Sequence, residues 1–152
     1  MKQKYVEAHM KVAETYASLS SAKRLQVGAI VVKDNRVISI GYNGMPSGWD
    51  NVCEDEVIDV QTEYGVGHKL VNTGELKTKP EVLHAETNAI AKLARSNESG
   101  LDATMFITHA PCIDCAKLIY QSGISKVYYR HTYRETTGID FLNKGGIEVE
   151  QI

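Results

Sequence analysis

The sequence predicts an α/β layered fold, a sheet with helices packed on both faces. Three observations carry that prediction. After an opening helix and a hairpin, helical and strand patterns alternate to the end of the chain. The strand patterns are short apolar or β-branched runs of the buried kind. The chain has 152 residues, 43% hydrophobic and 24% charged, enough for one domain with a core of its own.

The elements follow in order. Ala8, Val12, Tyr16 and Leu19, near helical spacing, predict a first helix over about residues 2–19. Two β-branched runs, Val27–Val32 and Val37–Ile40, flank Lys33–Arg36, and Asp34-Asn35 suits a tight turn, so the pair reads as a hairpin. Asn43–Glu81 is rich in Gly, Asn and acidic residues. It reads as a long loop with at most a short helix, and such loops are usually functional. After Pro80 a second helix is predicted over about Val82–Arg95, with Ala85, Ala89, Ile90 and Leu93 on one face. Ala103–His109 is a buried-type strand, and Cys112–Gly123 a third helix that stops at the glycine. Ser125–Tyr133 reads as a strand, Thr136–Gly146 as a short helix and Ile147–Ile152 as a last short strand. No internal repeat or linker interrupts this series, so residues 1–152 read as one domain.

A net charge of -2 lacks the basic surplus of a nucleic-acid binder. The N-terminus has no apolar h-region, and no run approaches a membrane span. Three cysteines are an odd number and are not spread like a disulfide framework. The expectation is a reduced, cytoplasmic chain with free or metal-bound cysteines and neither nucleic acid nor membrane as partner.

Cys112 and Cys115, three apart, share a face of the third helix's first turn, where the helix dipole favours thiolates. A lone C-x-x-C also suits a redox pair or two buried cysteines. Neither reading gives a role to "HAE", His84 to Glu86, which opens the second helix. One helix and one strand separate His84 from Cys112, so an α/β sheet brings the two helix starts side by side. Histidine and two thiolates are good zinc ligands, and three protein ligands leave a fourth position open, as in catalytic sites. Such zinc lowers the pKa of a bound water toward ~7. Glu86 can reach that water without being a ligand, accept its proton and return it to a leaving amine. H-x-E followed by P-C-x-x-C is the signature of zinc nucleobase deaminases.

"HAETNAI" with "APCIDCAKLI" resembles the zinc-dependent cytidine/deoxycytidylate deaminase superfamily. "QVGAIVVKDNRVISIGYNGMPSG", "CAKLIYQSGISKVYY" and "YRETTGIDFLNKGGIEV" are similar to its deoxycytidylate (dCMP) deaminases, from about Arg24 onward. The resemblance implies a three-layer fold, a mixed five-stranded sheet between helices. It implies hydrolytic deamination of dCMP to dUMP, supplying thymidylate synthesis. Zinc would lie on His84, Cys112 and Cys115, with Glu86 as proton shuttle. It also implies that Asn43 contacts the sugar and that the backbone of Thr108 to Pro111, including Ala110, lines the base pocket. For the 5′-phosphate the candidates are Lys23, Arg24 and Arg134, with Arg24 first; Tyr120, Tyr129 and Tyr133 are candidates to shape the pocket. By the same resemblance the protein is a homo-hexamer activated by dCTP and inhibited by dTTP. The effector would bind with Mg²⁺ at Gly41–Gly48, through Asn43, Gly44, Lys23 and Arg24. Some relatives carry a second, structural zinc. Cys53 and His68 fall in the matching loop, but "SLSSAKRLQ" offers no cysteine to join them, and closed sites want four ligands. The competing readings are another zinc deaminase, acting on nucleosides, guanine or tRNA adenosine, and a catalytically idle zinc-stabilised binding module, whose usual mark is loss of the glutamate.

Overall fold

A computed structural model describes residues 1–62 and 68–152. Helix α1 is Gln3–Ala17, and strands β1 (Gly28–Lys33) and β2 (Arg36–Tyr42) form the expected hairpin. Its turn residues Asp34 and Asn35 have φ of 51° and 58°. Those left-handed values suit Asp and Asn and match the twist of the flanking strands. Next come β3 (Glu54–Thr62), β4 (His68–Thr78), α2 (Ala85–Ala94), β5 (Thr104–His109), α3 (Ile113–Gln121), β6 (Lys126–His131), α4 (Thr137–Lys144) and β7 (Glu148–Gln151).

Five strands make one mixed sheet in the order β2-β1-β5-β6-β7. Strand β1 is antiparallel to both its neighbours, while β5, β6 and β7 run parallel. Alternation along β1 divides the core. Ile30 and Val32, with Phe106, face Val6, Met10 and Ala13 of α1. Ala29 and Val31, with Met105 and Ile107, face α2, α3 and α4. Each large side chain buried this way contributes ~1.5–3 kcal/mol. Helices therefore cover both faces, as the α/β reading requires.

Two expectations need correction. The buried stripe of α1 is Val6, Met10, Ala13 and Ala17, while Ala8 and Leu19 are exposed. Both sets fit a helical period. The small residues win because α1 lies almost against the β1 backbone: a Cβ on Gly28 would sit 2.0 Å from the Ala13 carbonyl oxygen. The second correction concerns Asn43–Glu81, read as a loop. It contains the antiparallel pair β3–β4, whose backbone is satisfied by its own ladder. Ile58, Val60 and Leu70 are exposed there, so no core-facing alternation marked the strands. The stretch expected to be loop also spans residues 63–67, which lie outside the described residues.

No helix among the described residues is long and apolar enough to cross a membrane.

Candidate active site

Because β1 is antiparallel to β5, four strand ends meet at one edge of the sheet: the start of β1 and the ends of β2, β5 and β6. Asn43 follows β2 and binds the segment that leads into β1. Its Oδ1 accepts from the Val27 amide at 2.8 Å, and its Nδ2 donates to the Leu25 carbonyl at 2.8 Å. Helix α2 is fixed against β2 by Asn88 Nδ2, which donates to the Tyr42 carbonyl at 2.8 Å. Gly41 permits that closeness, since a Cβ there would lie 2.1 Å from the Ala85 carbonyl oxygen. A two-way backbone bridge between Gly44 and Leu83 then sets the entry to α2.

His84 is the N-cap of α2 but makes no side-chain cap bond, which leaves its imidazole to project toward α3. Cys112 is the N-cap of α3, and its Sγ accepts from the Cys115 amide at 3.5 Å. The His84 Nδ1 lies 3.7 Å from Cys112 Sγ and 3.3 Å from Cys115 Sγ. These three are the group of metal-donor side chains that converges among the described residues. A tetrahedral zinc with bonds of ~2.3 Å to sulfur and ~2.1 Å to nitrogen holds those atoms roughly 3.6 Å apart, so the spacing fits.

The protonation chemistry of the set agrees. Hydrogen bonds from Cys115 and then His84 pull the Cys112 thiol down to about 4. The bond that Cys115 donates to Cys112, followed by burial, pushes the Cys115 thiol up. His84 is raised, first by its hydrogen bond with Cys112. The three donors thus share protons among themselves, and a dication is what allows all three to present lone pairs together. Glu86, in the first turn of α2, is only 4% exposed. Burial pushes its carboxyl up to about 6. It is therefore poised to carry a proton near neutrality.

A cavity of about 320 Å³ opens over this group. His84, Glu86, Cys112, Ala110, Asn43, Arg24, Tyr133 and Arg134 line it, while Cys115 lies beneath, 1% exposed. Other sequence candidates lie elsewhere. Tyr120 is 43% exposed on α3 and meets the edge of Phe141 at 5.9 Å. It follows Ile119, the last buried residue of that helix, and so turns off the inward stripe. Tyr129 is a core residue of β6. Neither Lys23 nor Gly44 is among the lining residues; Lys23 contributes its amide to Glu54, and Gly44 its bridge to Leu83. Cys53 precedes the base of the β3–β4 hairpin, whereas His68 pairs with Thr62, eight positions beyond Glu54. A strand of that length spans ~25 Å, too far for a shared metal.

Sequence reasoning missed Glu54, Thr78 and His109 in the lining. The first two fall in the stretch read as loop. His109 was in view only for its backbone; its imidazole is lowered, by burial and then by His131, whose ring centroid is 5.0 Å away.

Residues 3–131 match the family model for the cytidine and deoxycytidylate deaminase zinc-binding region. The deoxycytidylate deaminase of Enterobacteria phage T4 is 36% identical, over 92% of this chain and 86% of its own. That of Homo sapiens is 37% identical, over 93% and 75%. Among solved structures, the dCMP deaminase of cyanophage S-TIM5 in complex with dCMP and dUMP superposes with a TM-score of 0.85. It shares 45% identity and covers 100% of this chain and 99% of that one.

Proposed function

The chain belongs to the cytidine and deoxycytidylate deaminase family, and from that membership we propose that it hydrolyses dCMP to dUMP and ammonia. The observation that carries this reading is one cavity holding His84, Cys112 and Glu86 on the wall made by the helix starts and two guanidinium groups, Arg24 and Arg134, on walls made by loops. His84, Cys112 and Cys115 would hold the zinc, which when bound supplies Lewis-acid activation of a water at neutral pH. Glu86 would accept a proton at its carboxylate from the attacking water and return it to the departing amine. The closed packing around Glu86 keeps bulk water from competing for the proton. Arg24 and Arg134 bind the 5′-phosphate through charge-assisted hydrogen bonds. Ala110 and its neighbours flank the base, and Asn43, braced on Leu25 and Val27, keeps one amide hydrogen for the sugar.

The finer part of the reading is regulatory. It has the protein as a homo-hexamer that supplies dUMP for thymidylate synthesis, activated by dCTP and inhibited by dTTP with Mg²⁺. The effector site would involve Gly41–Gly48, with Asn43, Gly44, Lys23 and Arg24. The support is the resemblance of that element, together with the Gly44–Leu83 bridge that ends one residue before His84. Closely spaced glycines let backbone amides approach phosphate.

The test is ammonia release from dCMP against deoxycytidine, with zinc measured on the same sample. Strong preference for dCMP with one zinc per chain is the expected result; equal rates on the two substrates, or none on either, would sink it. Saturation curves with and without each triphosphate, beside the mass in solution, test the regulatory part. A monomer with hyperbolic kinetics, indifferent to both nucleotides, removes it.

A further inference from the structure

Glu54 is a carboxylate with no evident business in a cavity that takes an anion. It is 7% exposed, opens β3 and lines the cavity. Its Oε1 accepts from the amides of Lys23 and Arg24, at 2.8 and 3.1 Å. No donor among the described residues reaches Oε2, and no described lysine or arginine forms an ion pair with the group. Yet no buried side-chain oxygen among the described residues lacks both a partner and solvent access, so Oε2 keeps some access, in a residue that lines the cavity. A nearly buried carboxylate oxygen left in that state is waiting for a donor.

The inference rests on dCMP as substrate, whose chemistry leaves few choices. The exocyclic amine is at the reacting end, held over Glu86. The phosphate offers no donor and would be repelled. Between the two, a deoxynucleotide carries one hydroxyl, at the 3′ position. Asn43, whose Nδ2 gives one hydrogen to the Leu25 carbonyl, can offer the other to the hydroxyl oxygen, which leaves the hydroxyl's own proton for a separate acceptor. We propose that Glu54 Oε2 accepts the hydrogen bond of the substrate's 3′-hydroxyl, which makes Glu54 a specificity-determining residue for a free 3′ end. A nucleotide lacking that hydroxyl, or linked through it to a further phosphate, leaves Glu54 unpaired or repels it. The site therefore takes mononucleotides and rejects cytosine within a chain.

The experiment compares kcat/KM on dCMP and on 2′,3′-dideoxycytidine 5′-monophosphate for the wild-type protein, Glu54→Ala and Glu54→Gln. A hydrogen bond to a charged acceptor predicts a wild-type preference for dCMP of about 10–100-fold. In Glu54→Ala that preference should fall to within about 3-fold, because the dideoxy substrate never used the bond. If both substrates lose the same factor, Glu54 serves only to hold the Lys23 and Arg24 amides, and the proposal is overturned. Glu54→Gln keeps an oxygen for those amides and preserves the fold should the alanine variant fail to purify. A neutral bond is roughly half as strong, so its preference should fall to about the square root of the wild-type value. An unchanged preference there also overturns the proposal. Wild-type protein that turns over both nucleotides equally well defeats this inference alone; wild-type protein inactive on dCMP defeats the functional reading and this with it.

Discussion

The walls of the cavity are built in opposite ways. The chemical wall is two helix starts, α2 and α3, seated on the ends of sheet strands, and its side chains fall in two pairs close in sequence, His84 with Glu86 and Cys112 with Cys115. The selective wall gathers Arg24, Glu54 and Thr78 from three segments, and what binds them is backbone hydrogen bonding to a carboxylate and one guanidinium contact. Proton transfer and metal binding tolerate little positional error, and the residues proposed for them sit on rigid elements. Selection among nucleotides needs only a few well-aimed donors and acceptors, which loops can supply. Substitutions on the first wall should therefore abolish a step, and those on the second should rescale preference between substrates.

The sharpest contrast comes from Glu86→Ala. It should reduce kcat by ~10²–10⁴-fold or more while zinc content and thermal unfolding stay close to wild type. Retention of more than about a tenth of the rate would mean that protons move by another route. Next in size is Cys115→Ser, which should weaken zinc binding by at least ~10–100-fold, the loss usual for disturbing even the groups that orient a ligand. Metal analysis after dialysis against a graded chelator reads it. Full occupancy at unchanged affinity would take Cys115 out of the ligand set.

The two walls also differ in how far the sequence disclosed them. His84, Glu86, Cys112 and Cys115 were legible because ligand chemistry demands particular residue types at helix-turn spacing. The sheet was legible too, since its β-branched runs alternate with helical stripes. Glu54 and Thr78 were not. They are paired residues at the base of a hairpin whose apolar side chains point to solvent, so no periodicity set its strands apart from loop. The inward face of α1 was misjudged because Ala13 and Ala17 are too small to register as a hydrophobic stripe, yet their smallness is what lets the helix settle on Gly28. Tyr120 illustrates the converse: an aromatic one residue past a buried position looks like pocket material until the helical phase is fixed.

On the selective wall, Arg24→Ala should raise KM for dCMP by about 10–100-fold with kcat little changed, as expected for loss of charged hydrogen bonds to phosphate. Deoxycytidine, which has no phosphate, should be turned over as by wild type. Equal losses on both substrates would show that Arg24 supports the fold of the segment rather than the ligand.

The smallest effect should come from Thr78→Val. Arg24 Nη1 donates to Thr78 Oγ1 at 2.9 Å, the hydrogen bond from its guanidinium among the described residues. Valine keeps the shape and the β-branched character that suit the last residue of β4, and removes only the acceptor. The guanidinium then regains rotamers that do not face the ligand, and binding has to select the productive one. A single such bond predicts an increase in KM for dCMP of about 2–5-fold, with kcat and the deoxycytidine rate unchanged. Lys23→Ala is the matching control: Lys23 offers Glu54 its backbone amide, which alanine retains, so KM should stay within about 2-fold of wild type. If Lys23→Ala matched or exceeded Thr78→Val, the side chain of Lys23 would belong to the phosphate site, and the selective wall would depend on mobile surface charge instead of a guanidinium held in place.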